Sequence, residues 1–414
     1  MKKKFLFALL SLVLVLVCAF GFAACGLFGG VSGSNGGGSS DISGGGSSSS
    51  DDENLPKVDT DGTFIYSGAS VKAANTSISG EIVIPSEHNG TTIDTIPANA
   101  FKNCNGITSI VIPDSVTSIG LGAFNGCSML KSITLPFVGS RKGNSGSKEA
   151  NFGYIFGEDS YQGGTKVEQY YGSGVTSWKW FFVPTALRTV KITNETVIGY
   201  GAFQNCSMLT KIDLNDGIVQ VGTISFANCE RVEEVSLPSI SIIPSSLFKG
   251  CSSLSKFVIN GSVETIGANA FAGCGALSSV NSETAGEFVI PDSVTSIGSG
   301  VFNGCYLLKS ITLPFVGSKK GNSGSKEANF GYIFGEDSYQ GGTKVEQYYG
   351  SGVTSWKWFF VPTALRTVKI TNETVIGYGA FQNCSMLTSI TINAGAKNNV
   401  GAKAFVNTAN PTWI

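Results

Sequence analysis

Ile112-Pro-Asp-Ser-Val-Thr-Ser-Ile-Gly-Leu-Gly-Ala-Phe-Asn-Gly-Cys-Ser-Met-Leu130 is the stretch that decides the fold, because its pattern runs along most of the chain. Its Phe-x-x-Cys element recurs at Phe101/Cys104, Phe124/Cys127, Phe203/Cys206, Phe226/Cys229, Phe248/Cys251, Phe271/Cys274, Phe302/Cys305 and Phe381/Cys384. Phe405 opens a further copy, in which Thr408 stands in place of the cysteine. Three residues after each cysteine an aliphatic side chain opens a short run, as in Ile107-Thr-Ser-Ile-Val-Ile-Pro113 and Leu130-Lys-Ser-Ile-Thr-Leu-Pro136.

The openers are Ile107, Leu130, Leu187, Leu209, Val232, Leu254, Leu277, Leu308, Leu365 and Leu387, and most are 22 or 23 residues apart. A fixed period of that length marks stacked repeats, each too small to bury its own apolar face. Aliphatic residues at the first, fourth and sixth positions of each run predict one parallel strand per unit. Neighbouring strands would lie about 4.8 Å apart over a shared interior of Leu, Ile, Phe and Cys. The expectation is an α/β-type to mostly β repeat solenoid, a leucine-rich-repeat horseshoe of parallel strands occupying residues 55–414.

The segment from Ile112 to Leu130, nearly repeated from Ile290 to Leu308, resembles the BspA-like leucine-rich repeat family of bacterial surface proteins. The resemblance runs from about Ile82 to Phe405. It implies arrays that serve as adhesins or binding proteins toward host matrix, mucosal or bacterial surfaces, and it brings no catalytic residues.

A longer period lies over the short one. Residues 111–210 return at 289–388 with five differences: Leu121/Ser299, Ala123/Val301, Ser128/Tyr306, Met129/Leu307 and Arg141/Lys319. Each copy carries one expanded unit, where 57 residues separate Leu130 from Leu187 and Leu308 from Leu365. The insertions, at about 137–184 and 315–362, are aromatic. Runs on either side of Gly172-Ser173-Gly174 alternate and are rich in β-formers, so each insertion predicts a hairpin projecting from the solenoid. Val167, Gln169 and Tyr171 would share one face, and Trp178, Trp180 and Phe182 one face of the partner strand. Two roles stay open: a satellite core packed on the solenoid, or an exposed platform for sugar rings or a protein partner. Tyr170, Trp178, Trp180, Phe182, Trp356, Trp358 and Phe360 are the aromatic binding candidates, and two copies would permit bivalent attachment.

The chain opens Met-Lys-Lys-Lys and passes into the apolar run Phe5 to Phe20, the pattern of an export signal over 1–24. Gly21-Phe22-Ala23-Ala24-Cys25-Gly26 resembles a bacterial lipobox, with Phe22 where leucine is usual. That implies acylation of Cys25 and attachment to the outer face of a membrane. Residues 25–54 are nearly all glycine and serine before Asp51-Asp52-Glu53, a flexible tether with a reach on the order of 30 Å. The whole chain carries 28 basic and 29 acidic residues; loss of Lys2, Lys3 and Lys4 with the signal leaves a net charge of −4. Neither balance supplies a basic footprint for nucleic acid.

Catalysis finds little support in the residue inventory. His88, in Pro85-Ser-Glu-His-Asn-Gly90, is the single histidine and reads as a solvated loop residue, so no serine or cysteine has a credible base. Glu158-Asp159 and Glu168 are the one carboxylate set near aromatics that a glycosidase reading could use. The repeat cysteines fall at one equivalent position per unit, which favours buried free thiols over inter-unit disulfides and over metal ligation. No cofactor and no metal are expected. The outward second, third and fifth strand positions supply Lys131, Arg188, Lys191 and Lys211, a polar face suited to glycans or an extended protein segment. The function these signals favour is a surface-anchored adhesion or binding protein whose partners are host or bacterial surface proteins or glycans. A structural spacer or surface antigen without a ligand is the alternative, and a carbohydrate-active enzyme the least favoured. No oligomer is implied.

Overall fold

A computed structural model describes residues 57–58, 62–351 and 354–414 of the chain. The signal and tether read from residues 1–54, and Cys25 with them, lie outside the described residues. Among the described residues the regular structure is β-strand and short 3-10 turn, with no α-helix. The α/β-type side of the expectation therefore drops out, and the array is a mostly β one.

Each unit lays one strand beside the next. Ile82 and Ile110, Ile110 and Ile133, Ile133 and Val190, and Val190 and Ile212 are register partners in consecutive parallel strands. A second parallel sheet joins Phe257 to Val280, Phe288, Ile311, Val368 and Ile390. The alternation read from sequence places these aliphatic residues inward: Ile110, Ile133, Val190, Ile311, Val368 and Ile390 are all buried. A further ladder of two-residue strands stacks Ile96 on Ile119, Ile198 on Val221, and Ile243 on Ile266 and Ile297.

The remaining side of each unit is the turn holding Phe-x-x-Cys. The backbone rises from unit to unit through bonds such as Phe101 N–H to Ala123 O (2.7 Å) and Phe203 N–H to Ser225 O (2.8 Å). Phe203, Phe226, Phe248, Phe271 and Phe302 stack in succession with ring centroids 5.6 to 6.0 Å apart. Burying each ring removes it from water at a gain of roughly 1.5–3 kcal/mol. The thiols are free and buried, and they are also donors: Cys127, Cys229, Cys251 and Cys274 point Sγ at the carbonyl of the preceding unit's phenylalanine, 3.1 to 3.3 Å away.

Phe64–Ser67 pairs antiparallel with Lys57–Val58 and Ser70–Ala73, and Pro411–Trp413 pairs parallel with Ser389–Ile392. His88 lies half-buried at a tight hairpin, Glu87–His88 with Thr91–Thr92, where one face of its ring lies flat on Tyr66 at 3.7 Å.

The 31-residue spacing from Leu277 to Leu308 conceals an extra rung. Glu287–Val289 forms its own strand between Ser279–Val280 and Ser310–Leu313. This rung lies at the junction where the duplicated block begins again, so the second copy joins the ladder without a full intervening turn.

Candidate functional site

The expanded units widen one turn of the solenoid without interrupting it. Ser132–Leu135 pairs directly with Thr189–Ile192, so the strand ladder runs straight past the insertion. On the phenylalanine side, the 3-10 turn Phe152–Phe156 takes the place of a repeat: Phe124 N–H bonds Ile155 O and Phe152 N–H bonds Ala202 O, both at 2.9 Å. Phe152 then continues the ring stack to Phe203 at 4.9 Å.

Gly164–Tyr170 and Trp178–Pro184 follow as an antiparallel pair, with Tyr170 opposite Trp178, Glu168 opposite Trp180 and Lys166 opposite Phe182. Gly342–Tyr348 and Trp356–Pro362 repeat the arrangement, with Tyr348 opposite Trp356, Glu346 opposite Trp358 and Lys344 opposite Phe360. One face of the pair is core. Val167, Gln169, Phe181 and Val183 are buried, so the ribbon lies on the solenoid instead of projecting from it. Tyr171, placed with Val167 and Gln169 from the alternation, falls just beyond the strand end.

Gln169 fastens the ribbon. Its Oε1 accepts Gly153 N–H (2.8 Å), and its Nε2 donates to the carbonyls of Ala202 (3.0 Å) and Gln204 (3.3 Å). Gln347 does the same in the second copy. Gly153 is glycine because a Cβ there would lie 2.5 Å from Phe181 Cβ.

The other face carries the two indoles. Trp178 and Trp180 are 42% and 43% exposed, and Trp356 and Trp358 are 41% and 43%. Within each pair the rings touch at a 4.9 Å centroid separation and a tilt of 43° or 44°. Lys166 Nζ sits 3.1 Å above the Trp180 ring and Glu168 Oε2 accepts the Trp180 indole N–H at 3.0 Å. Lys344, Trp358 and Glu346 repeat both contacts. The ammonium over the ring adds a favourable electrostatic contact and, with the indole hydrogen bond, limits rotation of an exposed side chain. Phe182 and Phe360 are only half-buried. Beside the second pair, a cavity of about 350 Å³ is lined by Glu336, Lys344, Trp356, Lys357, Trp358 and Phe360.

The carboxylates do not form an acid pair. Glu158 is gripped by Lys148 and Lys179, each at 2.8 Å; partial burial pushes its carboxyl upward, but the two ammonium groups outweigh it and hold it below the usual range. Lys326, with help from Lys357 and against partial burial, holds Glu336 low in the same way. Such groups are the opposite of a raised-pKa general acid. Asp159 meets Lys102 at the surface. Among the described residues no group of three or more His, Cys, Asp or Glu is placed to hold a metal ion.

On the strand ladder, Lys131, Lys191 and Lys211 are exposed. Arg188 is half-buried and committed to the chain: its Nη1 donates to the carbonyls of Thr185 (2.7 Å) and Leu187 (2.9 Å). Lys211 pairs with Asp213 at 3.4 Å, in a cavity of about 620 Å³ that also takes in Glu233, Glu234 and Lys256. The aromatic candidates are thus assembled on two compact ribbons, while the basic candidates are spread over successive rungs.

Sequence reading did not single out Glu195. Its buried carboxylate accepts the backbone N–H groups of Val138 (3.1 Å), Gly143 (2.8 Å), Thr196 (2.7 Å) and Val197 (3.3 Å), stapling the start of the insertion to the next unit. Glu373 does the same. A glutamate in a polar turn carries no local signal of this role, because the two partners it staples, Gly143 and Val138, are 52 and 57 residues away.

A cage of stacked parallel strands with a buried phenylalanine and thiol column defines a leucine-rich-repeat array. The chain belongs to the BspA type leucine-rich repeat region family, which matches it in six copies over residues 88–144, 179–285, 280–323 and 354–413. Most of each aromatic insertion falls between the matched segments. The chain is similar to a solved leucine-rich repeat protein from Bacteroides ovatus, at 22% identity over 88% of this chain and 81% of that one, with a TM-score of 0.41. It is also similar to a leucine-rich cell surface protein from Faecalibacterium prausnitzii, at 20% identity over 87% and 77%, TM-score 0.34. A leucine-rich repeat protein of T. pallidum matches at 20% identity over 63% of this chain and 91% of that one, TM-score 0.30. No curated protein sequence matches the chain.

Proposed function

We propose that this chain is a surface-anchored binding protein that grips host, matrix or bacterial surface ligands through its two aromatic ribbons, with the polar strand face as a secondary contact. The observation that carries this reading is the paired indoles: two tryptophans per ribbon stay about two-fifths exposed although Val167, Gln169, Phe181 and Val183 on the opposite face are buried. Apolar rings left in water and braced by lysine and glutamate suit an interface anchor, since large aromatic side chains bring much contact area at small entropic cost. Two copies on one chain would raise avidity toward a multivalent surface. Acylation of Cys25 would place the array on the outer face of a bacterial membrane.

The test is binding of the full chain to glycan arrays and immobilised matrix proteins, repeated with Trp178, Trp180, Trp356 and Trp358 changed to alanine. Loss of binding with unchanged thermal unfolding supports the reading. Undiminished binding by the folded variant would overturn it, and absence of binding by the parent chain would favour a spacer.

A further inference from the structure

The solenoid is not equally laced along its length, and the weak rung is the unit from Val232 to Phe248. In the strand ladder, the first sheet ends at Lys211–Asp213 and the second begins at Lys256–Phe257. Between them the ladder thins to a single bridge, Lys211 to Glu234, and a few backbone bonds, Glu233 N–H to Thr210 O (3.4 Å), Ser253 N–H to Glu230 O (3.0 Å) and Ser255 N–H to Glu233 O (3.1 Å). In the two-residue ladder, Gln220–Val221 pairs backward with Val197–Ile198, and Ile242–Ile243 pairs forward with Thr265–Ile266, but the two are not joined. Cavities of about 620 and 430 Å³ open at these two breaks. Val219 and Ile242, beside the second, are 75% and 55% exposed.

Pro244 supplies the cause. Four residues before the repeat phenylalanine, other units carry Gly120, Gly222, Gly267, Gly298 or Gly401. Each donates its N–H to the preceding rung, at Ile96, Ile198, Ile243, Ile266 or Ile376 O, over 2.7 to 2.8 Å. The rungs approach so closely there that a Cβ on any of these glycines would lie 2.2 to 2.6 Å from backbone atoms of the unit before. Proline has that Cβ and lacks the N–H, so its rung must stand off and cannot bond Val221 O. Pro97 holds the same position in the first unit, where the preceding strand, Ser70–Ala73, is likewise joined by a single register pair, Ser70 with Thr95. The third side of the weak unit stays laced: Phe226 N–H meets Leu247 O (3.1 Å), Asn228 N–H meets Lys249 O (2.7 Å), and Phe226 stacks on Phe248 at 5.6 Å.

We infer that this unit is a built-in hinge: with the two-residue ladder broken, the strand side thinned and the phenylalanine side intact, the array bends about the intact side. The hinge lies between the two duplicated blocks, so its motion changes the separation of the two aromatic ribbons. The inference does not depend on what the ribbons bind. The first test is amide hydrogen exchange on the full chain. Amides at 219–221 and 240–246 should exchange at least about tenfold faster than those at 263–267, because local opening sets exchange. Equal protection would overturn the hinge. The second uses spin labels at Ser173→Cys and Thr354→Cys, with and without Pro244→Gly. The glycine should narrow the distance distribution and slow exchange at 240–246; an unchanged width in a folded variant would also overturn it.

Discussion

Replacing Phe203 by alanine tests the stacked interior most directly. Its ring is fully buried between Phe152 at 4.9 Å and Phe226 at 5.6 Å. Truncating a phenylalanine in such a place costs about 3–5 kcal/mol, combining lost transfer energy with the cavity left behind. In a repeat array stability is approximately a sum of unit terms and nearest-neighbour interface terms, so an interior ring supports two interfaces and an end ring one. Phe405, half-buried, is the last ring of the stack: it stacks on Phe381 at 5.7 Å and meets only the edge of Trp413, at 6.5 Å, on its other side. Phe405→Ala should therefore cost about half as much, ~2 kcal/mol. Urea unfolding followed by tryptophan fluorescence, with midpoints compared at constant slope, reads both values. Equal costs for the two variants, or a Phe203→Ala cost below about 1 kcal/mol, would refute the continuous dry column.

Two further outcomes follow from the structure and a third from the sequence. Burial pushes the Cys104 thiol from its ordinary 9.0 up to about 11, and the Cys251 thiol up to about 12. The folded state therefore holds these protons longer than the unfolded one. Their contribution to stability is complete below pH 9 and is lost as pH rises through 11 to 12, and maleimide should modify the repeat thiols near pH 8 only after denaturation. Rapid modification of native protein would contradict the buried ladder. Glu195→Gln puts an amide against backbone donors that a carboxylate now satisfies, and should destabilise by about 1.5–3 kcal/mol, with faster proteolysis at residues 141–147; a melting temperature within error of the parent would remove the staple argument. Cys25→Ala should abolish incorporation of labelled palmitate and release the protein from the membrane fraction, whereas retained label would place the anchor elsewhere.

The 22- to 23-residue period by itself determined the stacked parallel architecture, because strand alternation and a recurring buried ring leave one way to hide so many apolar side chains. It also marked where the insertions begin. Two finer features were written in the sequence but needed the structure to be understood. Asparagine or glycine precedes every repeat cysteine because the backbone there turns left-handed, as at Asn103 (φ 63°) and Gly126 (φ 81°). The glycine that recurs before the phenylalanine turns, Pro97 and Pro244 apart, answers a close approach between rungs.

What only the tertiary structure decided is which side of each ribbon meets water. Alternation separates Trp178 and Trp180 from Phe181 and Val183, yet it cannot say which set faces the solenoid; that depends on Gln169 finding Gly153, Ala202 and Gln204. The same holds for Glu195 and for the gap around Pro244. Each arises from contacts between units, and a local pattern records the residues that make such contacts without recording their partners.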